Sequence, residues 1–344
     1  MHGKLRVADY PDGKPAHIPL WIGAGTDVQV DKPTIIGALI GGAHGNEPNG
    51  PELVNRVVHD INPKDLHGIL IVLPVMNPWG YEERHRMVPI DQRDLNRCYP
   101  GHARGSFTFR VADTIMHEVV QHAQFVIDCH DAGDRIVLVP HARAHNQPED
   151  DASYQLALTF GSDIVLLREA EQGMLAREAR ASFGTTVVSL EIGGAMQVRD
   201  HIQERAKRGV FNMLRMQGLM TGSIVLPPHQ HVLHARHTTA AELSGIQTNY
   251  AALGQIVEKG EPLYRIVDPQ TGKAVMHRAT ECGVVLAQNL SARVDKGDPS
   301  ISLLRFTSCD ANALLKADIV RNQSGQHTVV LKSSQSLSHQ RHHP

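Results

Sequence analysis

A histidine and a glutamate separated by two residues lie in a glycine-rich stretch that follows an apolar run. The stretch is GGAHGNEPNG, residues 41–50, and the two side chains are His44 and Glu47. Imidazole and carboxylate are common zinc ligands, and the glycines leave room for an ion and a substrate. The pair could equally be a loop histidine and a surface glutamate, because His-x-x-Glu is frequent by chance. A zinc site therefore needs a further ligand from elsewhere in the chain.

Two more chemically capable residues stand at the polar ends of apolar runs. His130 ends FVIDCH beside Asp128 and Asp131, and either carboxylate could accept its second imidazole N–H. Glu191 ends TVVSLE, where a carboxylate costs stability unless it is paired or used. Near a zinc site it could take a proton from water and return it to a leaving amine. The alternatives are a satisfied core histidine and a strand-end salt bridge.

Several arginines and an asparagine lie close together in the sequence between the Glu47 and His130 stretches. Arg84 and Arg86 precede DQRDLNRCYPG, which contains Asn96 and Arg97. A guanidinium binds a carboxylate through two N–H groups, and an asparagine beside it adds a donor. The alternatives are a surface arginine cluster or a nucleic-acid patch. The chain has 34 Lys and Arg against 36 Asp and Glu, and this balance argues against nucleic acid.

Other site types lack their residues. The chain has no G-x-G-x-x-G, no G-K-[ST] ending of a phosphate loop and no G-x-S-x-G elbow. The cysteines are widely spaced, so we expect free thiols in a reducing compartment. The N-terminus lacks the apolar core of a signal peptide, and no run approaches a membrane span. These features predict a cytoplasmic protein that binds neither membrane nor nucleic acid.

Strands and helices alternate in the first two thirds of the chain and position these residues. Apolar runs predict strands in PTIIGALIGG, HGILIVLPVMNP, QFVIDCHDAG and GTTVVSLEIGG. Helical spacing appears in PNGPELVNRVVHDI, TFRVADTIMHEVVQHA and RDHIQERAKRGVFNMLRMQGLM. This order predicts an α/β layer with a largely parallel sheet, in which ligands bind at the carboxyl ends of strands. His44 with Glu47, His130 and Glu191 should meet at that edge.

The pattern changes after about residue 235. VEKGEPLYRI at 257–266 and VDKGDPSISL at 294–303 repeat Val-acid-Lys-Gly-acid-Pro before an alternating strand. Two such strand–turn–strand units predict a small quasi-symmetric β-sandwich or barrel. We therefore expect an α/β domain with the candidate zinc and acid–base residues at 1–235, a β-rich domain at 236–330 and a polar tail at 331–344.

Five stretches, GGAHGNE, NPWGYEERHRM, DLNRCYPG, DCHDAG and LEIGG, occur in an order that resembles the succinylglutamate desuccinylase/aspartoacylase family. This family is a branch of the zinc carboxypeptidase-like (M14-like) superfamily. The resemblance spans roughly residues 30–220 and implies one zinc ion per subunit. Its ligands would be His44, Glu47 and His130.

The resemblance also implies roles for the remaining candidates. Glu191 would be the general acid and base, and Asn96 with Arg97 would hold the substrate carboxylate. An arginine before DLNR would polarise the scissile carbonyl, and Arg86 fits that place best, with Arg84 as the fallback.

The family further implies a fold and a function. The fold would be a zinc-carboxypeptidase-like mixed sheet flanked by helices, with a C-terminal sandwich that resembles lipoyl- or biotinyl-carrier domains. The function would be removal of an acyl group from a small N-acyl amino acid, either an N-acyl-diamino acid or an N-acylaspartate- or glutamate-like compound. The N-acetyl-diaminobutyrate deacetylases are the branch that fits best. The number of subunits stays open, with a homo-oligomer as one possible assembly. The alternatives are a metallocarboxypeptidase acting on short peptides and a non-catalytic zinc-binding module.

Overall fold

The strands and helices up to residue 234 build one layered unit. The structure, a computed structural model, describes residues 1–26, 28, 29, 32–145, 152–234, 236–305, 315–321 and 327–333. The strands in this unit are β1 (His2–Asp9), β2 (Pro15–Ala24), β3 (Ile35–Gly41), β4 (Gly68–Leu73), β5 (Phe125–His130), β6 (Ile136–Leu138), β7 (His141–Ala144), β8 (Ile164–Leu167), β9 (Thr186–Glu191) and β10 (His231–Leu233). The helices are α1 (Asn49–Asp60), α2 (Pro78–Glu83), α3 (Phe107–Glu118), α4 (Ala152–Phe160), α5 (Leu175–Phe183) and α6 (Asp200–Met216).

All these strands except β6 form a mixed sheet in the order β1-β2-β4-β3-β5-β9-β7-β8-β10. The central strands β4, β3, β5 and β9 are parallel, as the alternation with helices predicts. The largely parallel arrangement predicted from the residues is wrong at the flanks. There β1, β2 and β4 pair antiparallel, and β7 is antiparallel to β9. The α/β class with a mixed sheet flanked by helices is confirmed.

Helices cover both faces of the central strands. Leu39, Ile127 and Val188 pack with α1, α4 and α6 on one face. Residues at alternate positions pack with α3 and α5 on the other face, and they include Ile40, Val126 and Val187. Because side chains alternate along a strand, both sets are fully buried and the carboxyl ends of β3, β5 and β9 are fixed together.

The strands after residue 235 form two smaller sheets and one separate pair of strands. These strands are β11 (Arg236–Ala240), β12 (Gly245–Asn249), β13 (Ile256–Val257), β14 (Pro262–Val267), β15 (Ala274–Arg278), β16 (Gly283–Asn289), β17 (Arg293–Val294), β18 (Pro299–Arg305), β19 (Leu315–Arg321) and β20 (His327–Ser333). One sheet has the order β15-β14-β12-β17 and the other β11-β18-β16-β13. Strands β19 and β20 pair with each other.

The internal repeat forms the predicted strand–turn–strand units. The first copy contributes β13 and β14, and the second contributes β17 and β18. The short strand of each copy lies in the sheet that holds the long strand of the other. The likeness to carrier domains stays a prediction.

Strand β6 connects the two parts of the chain. It follows β5 in the chain and pairs antiparallel with β16, so that Val137 lies opposite Gln288. Backbone hydrogen bonds therefore join the large-sheet unit to the β-rich region. The chain passes from the large sheet to the smaller sheets between Leu233 and Arg236, and the division into domains stays a prediction. Residues 334–344 of the predicted tail lie outside the described residues.

The cysteines differ from expectation at one position. Cys98 and Cys129 are free and buried. Cys282 is disulfide-bonded, so the expectation of free thiols is wrong for that residue, and Cys309 lies outside the described residues. In the described part of the chain, every helix is too short or too polar to cross a membrane.

Close backbone contact between α1 and β5 predicts that a larger residue at Gly50 destabilises the fold. A Cβ atom at Gly50 would lie 2.3 Å from the carbonyl oxygen of Cys129, which directly precedes His130. We expect Gly50→Ala to lower the free energy of unfolding by about 1–3 kcal/mol, the usual cost of overpacking, in urea titrations. Gly3→Ala is the control, because the described residues leave its Cβ position open. Equal stability of the two variants would contradict this close contact.

Candidate active site

Three buried side chains meet where β3 and β5 end. His44 and Glu47 lie in the loop between β3 and α1, and His130 is the last residue of β5. Their exposed fractions are 3%, 3% and 5%, and one potential ligand atom from each lies within 4.8 Å of the others. The loop also needs a glycine, because a Cβ atom at Gly45 would lie 1.9 Å from the backbone of Gly80.

Both imidazole rings present Nδ1 to the same carboxylate. Nδ1 of His44 lies 2.7 Å from Oε1 of Glu47, and Nδ1 of His130 lies 3.0 Å from Oε2. The opposite nitrogens are held by two aspartates. Nε2 of His44 lies 3.0 Å from Asp94, and Nε2 of His130 lies 2.8 Å from Asp128. Of the two carboxylates that the sequence offered to His130, the structure therefore selects Asp128.

This arrangement suits a divalent cation. When each Nε2–H donates to its aspartate, each Nδ1 carries a lone pair directed at the carboxylate of Glu47. Lone pair and anion repel each other unless a proton or a cation lies between them. Two imidazoles and one carboxylate, with the far ring nitrogens bonded to carboxylates, form the ligand set and supporting shell typical of a catalytic zinc site.

The protonation of the cluster follows from the same contacts. Burial disfavours the imidazolium of His44, but Glu47 and Asp94 outweigh it, so the pKa of His44 is raised. Burial opposes the charged form of His130 as well, yet Asp128 and Glu47 hold its pKa well above the usual range. Burial would raise the pKa of Glu47, but the two imidazoles hold it well below the usual range. The buried carboxylates therefore favour positive charge on or between the two rings.

A cavity of about 200 Å³ opens over the cluster. Of the other residues predicted from sequence, Arg86, Asn96, Arg97 and Glu191 line it. Arg84 follows α2 with a left-handed backbone at φ 53°, is exposed, and is not among the lining residues. The structure thus brings together all the predicted residues except the fallback arginine.

The cavity arginines and asparagine are held by specific partners. Arg86 donates to Asp94 at 2.9 Å through Nη2 and reaches Glu47 at 3.3 Å through Nη1. Asn96 accepts the backbone N–H of Leu175 at 2.9 Å through Oδ1, which leaves its Nδ2 group to donate to a ligand. Arg97 donates to the carbonyl oxygen of Asn96 at 2.8 Å.

Strand register explains why Glu191 lines the same cavity as the cluster of His44, Glu47 and His130. In the parallel pair β5–β9, His130 is opposite Glu191, and in the antiparallel pair β9–β7, Glu191 is opposite His141. Opposed residues share a face of the sheet, so these side chains form a row across three strands. The neighbouring row on the same face consists of Asp128, Ser189 and Arg143. The face that is apolar under α3 and α5 is therefore polar at its carboxyl end.

Sequence reasoning missed four polar residues of the site. They are Asp94, Arg143, Ser189 and Arg236, of which the last three line the cavity. Asp94 opens the DLNR stretch and could have been found there. Ser189 precedes Glu191 by two positions and so shares its face of the strand. Arg143 and Arg236 carried no usable local signal, since their positions depend on the pairing of distant strands.

Comparison with known proteins points to one family. Residues 34–217, more than half of the chain, match the catalytic domain of succinylglutamate desuccinylase/aspartoacylase. One relative is the N-alpha-acetyl-L-2,4-diaminobutyric acid deacetylase of Halomonas elongata. It is 29% identical over 278 residues, which are 76% of this chain and 79% of that protein.

Solved structures agree with this match. The product-bound ectoine utilization protein EutE (DoeB) from Ruegeria pomeroyi is 26% identical, with a TM-score of 0.78 over 89% of this chain and 95% of that one. A succinylglutamate desuccinylase from Silicibacter sp. TM1040 is also 26% identical, with a TM-score of 0.77 over the same shares, 89% and 95%. The family resemblance carried by the sequence motifs is thereby confirmed.

The raised histidine pKa values predict that zinc binding releases protons. The raised pKa values favour protonated rings, whereas a histidine that binds zinc must give up that proton, so the zinc affinity should fall as pH falls. We expect about a tenfold loss of affinity per pH unit for each proton released, measured with a competing chelator between pH 6 and 8. His44→Ala should lose the zinc, whereas the exposed His59→Ala should keep it in elemental analysis. An affinity independent of pH, or full zinc in His44→Ala, would contradict this assignment.

Proposed function

The chain belongs to the succinylglutamate desuccinylase/aspartoacylase family, and from this premise we propose that it is a zinc-dependent amidohydrolase that deacylates N-acyl amino acids. The observation that carries the proposal is the placement of Glu191 on the same cavity as the cluster of His44, Glu47 and His130. A base beside such a cluster is what hydrolysis of an amide requires.

The three cluster residues would hold one zinc ion per subunit. When bound there, zinc lowers the pKa of water and polarises a carbonyl group. Asp94 and Asp128 would fix the two ring orientations and keep the unprotonated Nδ1 atoms available. The donor set and its burial support this assignment.

Glu191 would move the proton. Its carboxylate accepts a proton from the attacking water while the water oxygen bonds to the amide carbon. The same carboxyl group then donates that proton to the amine nitrogen as the C–N bond breaks, which yields a carboxylate and a free amino acid. Its side chain is 12% exposed, so it reaches the cavity while most of it is shielded from water.

The polar groups of the cavity would position the substrate. Arg86 would donate to the carbonyl oxygen as negative charge develops there, a role that typically lowers the barrier by several kcal/mol. Asn96 and Arg97 would bind the carboxylate of the amino acid and so set the amide over the base. The hydrogen bonds that hold Arg86 and Asn96 favour these assignments over flexible surface contacts.

Several finer expectations stay predictions. They are the N-acetyl-diaminobutyrate branch, the cytoplasmic location and a homo-oligomeric assembly. The relatives in Halomonas elongata and Ruegeria pomeroyi favour the first of these.

Loss of the Glu191 carboxylate should abolish turnover without removing the metal. We expect Glu191→Gln to retain zinc and to lower kcat by about 10²- to 10⁴-fold, because the amide cannot accept the proton. Glu169→Gln, at an exposed position on the same unit, is the control and should keep full activity. Measurements of kcat and of bound zinc test this together. Substantial activity in Glu191→Gln would show that another group is the base.

Substrate length should separate deacylation from peptide trimming. A cavity of about 200 Å³ accommodates a small N-acyl amino acid but little of a longer peptide. We expect N-acetyl and N-succinyl amino acids to be hydrolysed with higher kcat/KM than peptides of four or more residues. Amine release can be followed by mass spectrometry with zinc-loaded protein. Faster hydrolysis of the peptides would favour the metallocarboxypeptidase alternative.

A further inference from the structure

The turn that follows β9 has two residues in a left-handed backbone conformation. Ala195 has φ 56° and Met196 has φ 53°, directly after two glycines that also have positive φ. A residue with a Cβ atom is disfavoured in this region, because the Cβ atom comes too close to a carbonyl oxygen of the backbone. Neither side chain can form the local hydrogen bond with which asparagine or aspartate offsets that cost. Such a conformation persists only where the surrounding structure holds it.

Backbone hydrogen bonds connect this turn to the segment after β5. The N–H of Met196 donates to the carbonyl oxygen of Gly133 at 3.2 Å, and the N–H of Ala132 donates to that of Gly193 at 3.3 Å. Both distances are at or beyond the long end of the usual range. The turn is also exposed to solvent from Met196 onwards. These contacts alone give weak support to two disfavoured residues in succession.

A buried asparagine supplies a further contact. Asn49 begins α1, two residues after Glu47, and is 1% exposed. Its Nδ2 group donates to the carbonyl oxygen of Gln197 at 3.1 Å and to Oδ2 of Asp131 at 2.8 Å. Its Oδ1 atom accepts from Nε2 of Gln203, on α6, at 2.9 Å. Both N–H donors and the oxygen of this one amide therefore have partners.

Asp131 links Asn49 to the candidate metal ligands. It directly follows His130, and its backbone N–H donates to Oε2 of Glu47 at 3.3 Å. Asp131 is 3% exposed, and its Oδ2 atom accepts the backbone N–H of Asn49 at 3.0 Å as well as the Nδ2 group. The position of Asn49 is thereby fixed relative to His130 and Glu47.

The turn is equally close to the proposed base. Glu191 ends β9, and the N–H of the next residue, Ile192, donates to the carbonyl oxygen of His130 at 2.9 Å. If the turn left its left-handed conformation, the direction of the chain would change just after Glu191. Asn96 and Arg97, which would bind the substrate carboxylate, lie on a separate segment before α3 and take no part in these hydrogen bonds.

We propose that Asn49 is a positioning residue, which sets Glu191 relative to the cluster by holding the turn after β9 in its left-handed conformation. Its amide joins the loop that carries His44 and Glu47 to the end of the strand that carries the base. Asn49 is not among the residues that line the cavity, so it acts through the turn. The proposal rests on the proposed deacylase function and adds a residue to its machinery.

Amide hydrogen exchange, followed by mass spectrometry, tests the hold on the turn without turnover. In the full chain, Asn49→Ala should raise the exchange rate of the amides of residues 192–197 by about tenfold or more, because the turn opens locally. Asn212→Ala is the matched control, since Asn212 is also buried and bonds twice to the backbone of Val225 from the second half of α6. Unchanged exchange at 192–197 in Asn49→Ala, or an equal rise in both variants, overturns the proposal.

Steady-state kinetics with zinc-loaded protein test the link to the base. We expect Asn49→Ala to lower kcat by about 10- to 100-fold, the usual effect of a small misplacement, and to change KM by less than about threefold. Asn212→Ala should keep kcat per folded molecule. Elemental analysis should find full zinc in both variants. Loss of zinc from Asn49→Ala, or a rise of KM at unchanged kcat, would contradict a role through Glu191.

A glycine in the turn tests whether Asn49 acts through it. Glycine adopts positive φ without the cost that a Cβ atom brings, so Met196→Gly should restore about tenfold of the lost kcat in the Asn49→Ala background. Gln203→Met removes the donor to Asn49 at similar volume and should lower kcat by a smaller factor, which keeps the test open if Asn49→Ala does not fold. Independent effects of Asn49→Ala and Met196→Gly on kcat would refute the coupling.

The exchange and kinetic results together separate this inference from the proposed function. If the unaltered protein hydrolyses no N-acyl amino acid, the deacylase proposal fails, and the exchange comparison still decides whether Asn49 holds the turn. If exchange rises in Asn49→Ala while kcat stays unchanged, deacylation stands and the positioning role is refuted.

Discussion

A buried carboxylate, Glu47, lies between the Nδ1 atoms of His44 and His130. Because Asp94 and Asp128 fix the far nitrogens of the rings, this contact is attractive only with a proton or a cation in between. The glycine-rich loop after β3 and the polar end of β5 both serve to maintain it. The chemistry proposed for the cavity depends on that one requirement for positive charge.

The sheet that positions His130 also positions Glu191 and Arg143. Side-chain alternation makes one face of β5, β9 and β7 apolar under α3 and α5 and polar at the carboxyl ends. Glu191 and Arg143 lie in adjacent rows of that polar face, and Arg236 reaches it from the β-rich region. The pairing of β6 with β16 ties that region to the segment after His130. The β-rich region is therefore part of the cavity wall.

The central strands and the meeting of His44, Glu47 and His130 could be predicted because their signals are local. An apolar run that ends in His130 or Glu191 indicates a strand with a polar residue at its carboxyl end. Parallel strands bring their carboxyl ends to the same edge of a sheet. Arg143 and Arg236 could not be found in this way, because HARA and RHTTA are short strands without a clear pattern. Their positions follow from β7 running antiparallel to β9 and from β11 lying beside β18. The flanking antiparallel strands were missed for the same reason, since strand order is a long-range property of the chain.

Crystallography at the zinc absorption edge tests the central claim most directly. Crystals grown with zinc should give an anomalous difference peak bonded to Nδ1 of His44, Nδ1 of His130 and the carboxylate of Glu47, at about 2.0–2.2 Å from each. Asp94 and Asp128 should keep their contacts with the Nε2 atoms. A peak at another site, or rings turned so that Nε2 binds the ion, would contradict the arrangement on which the proposed function rests.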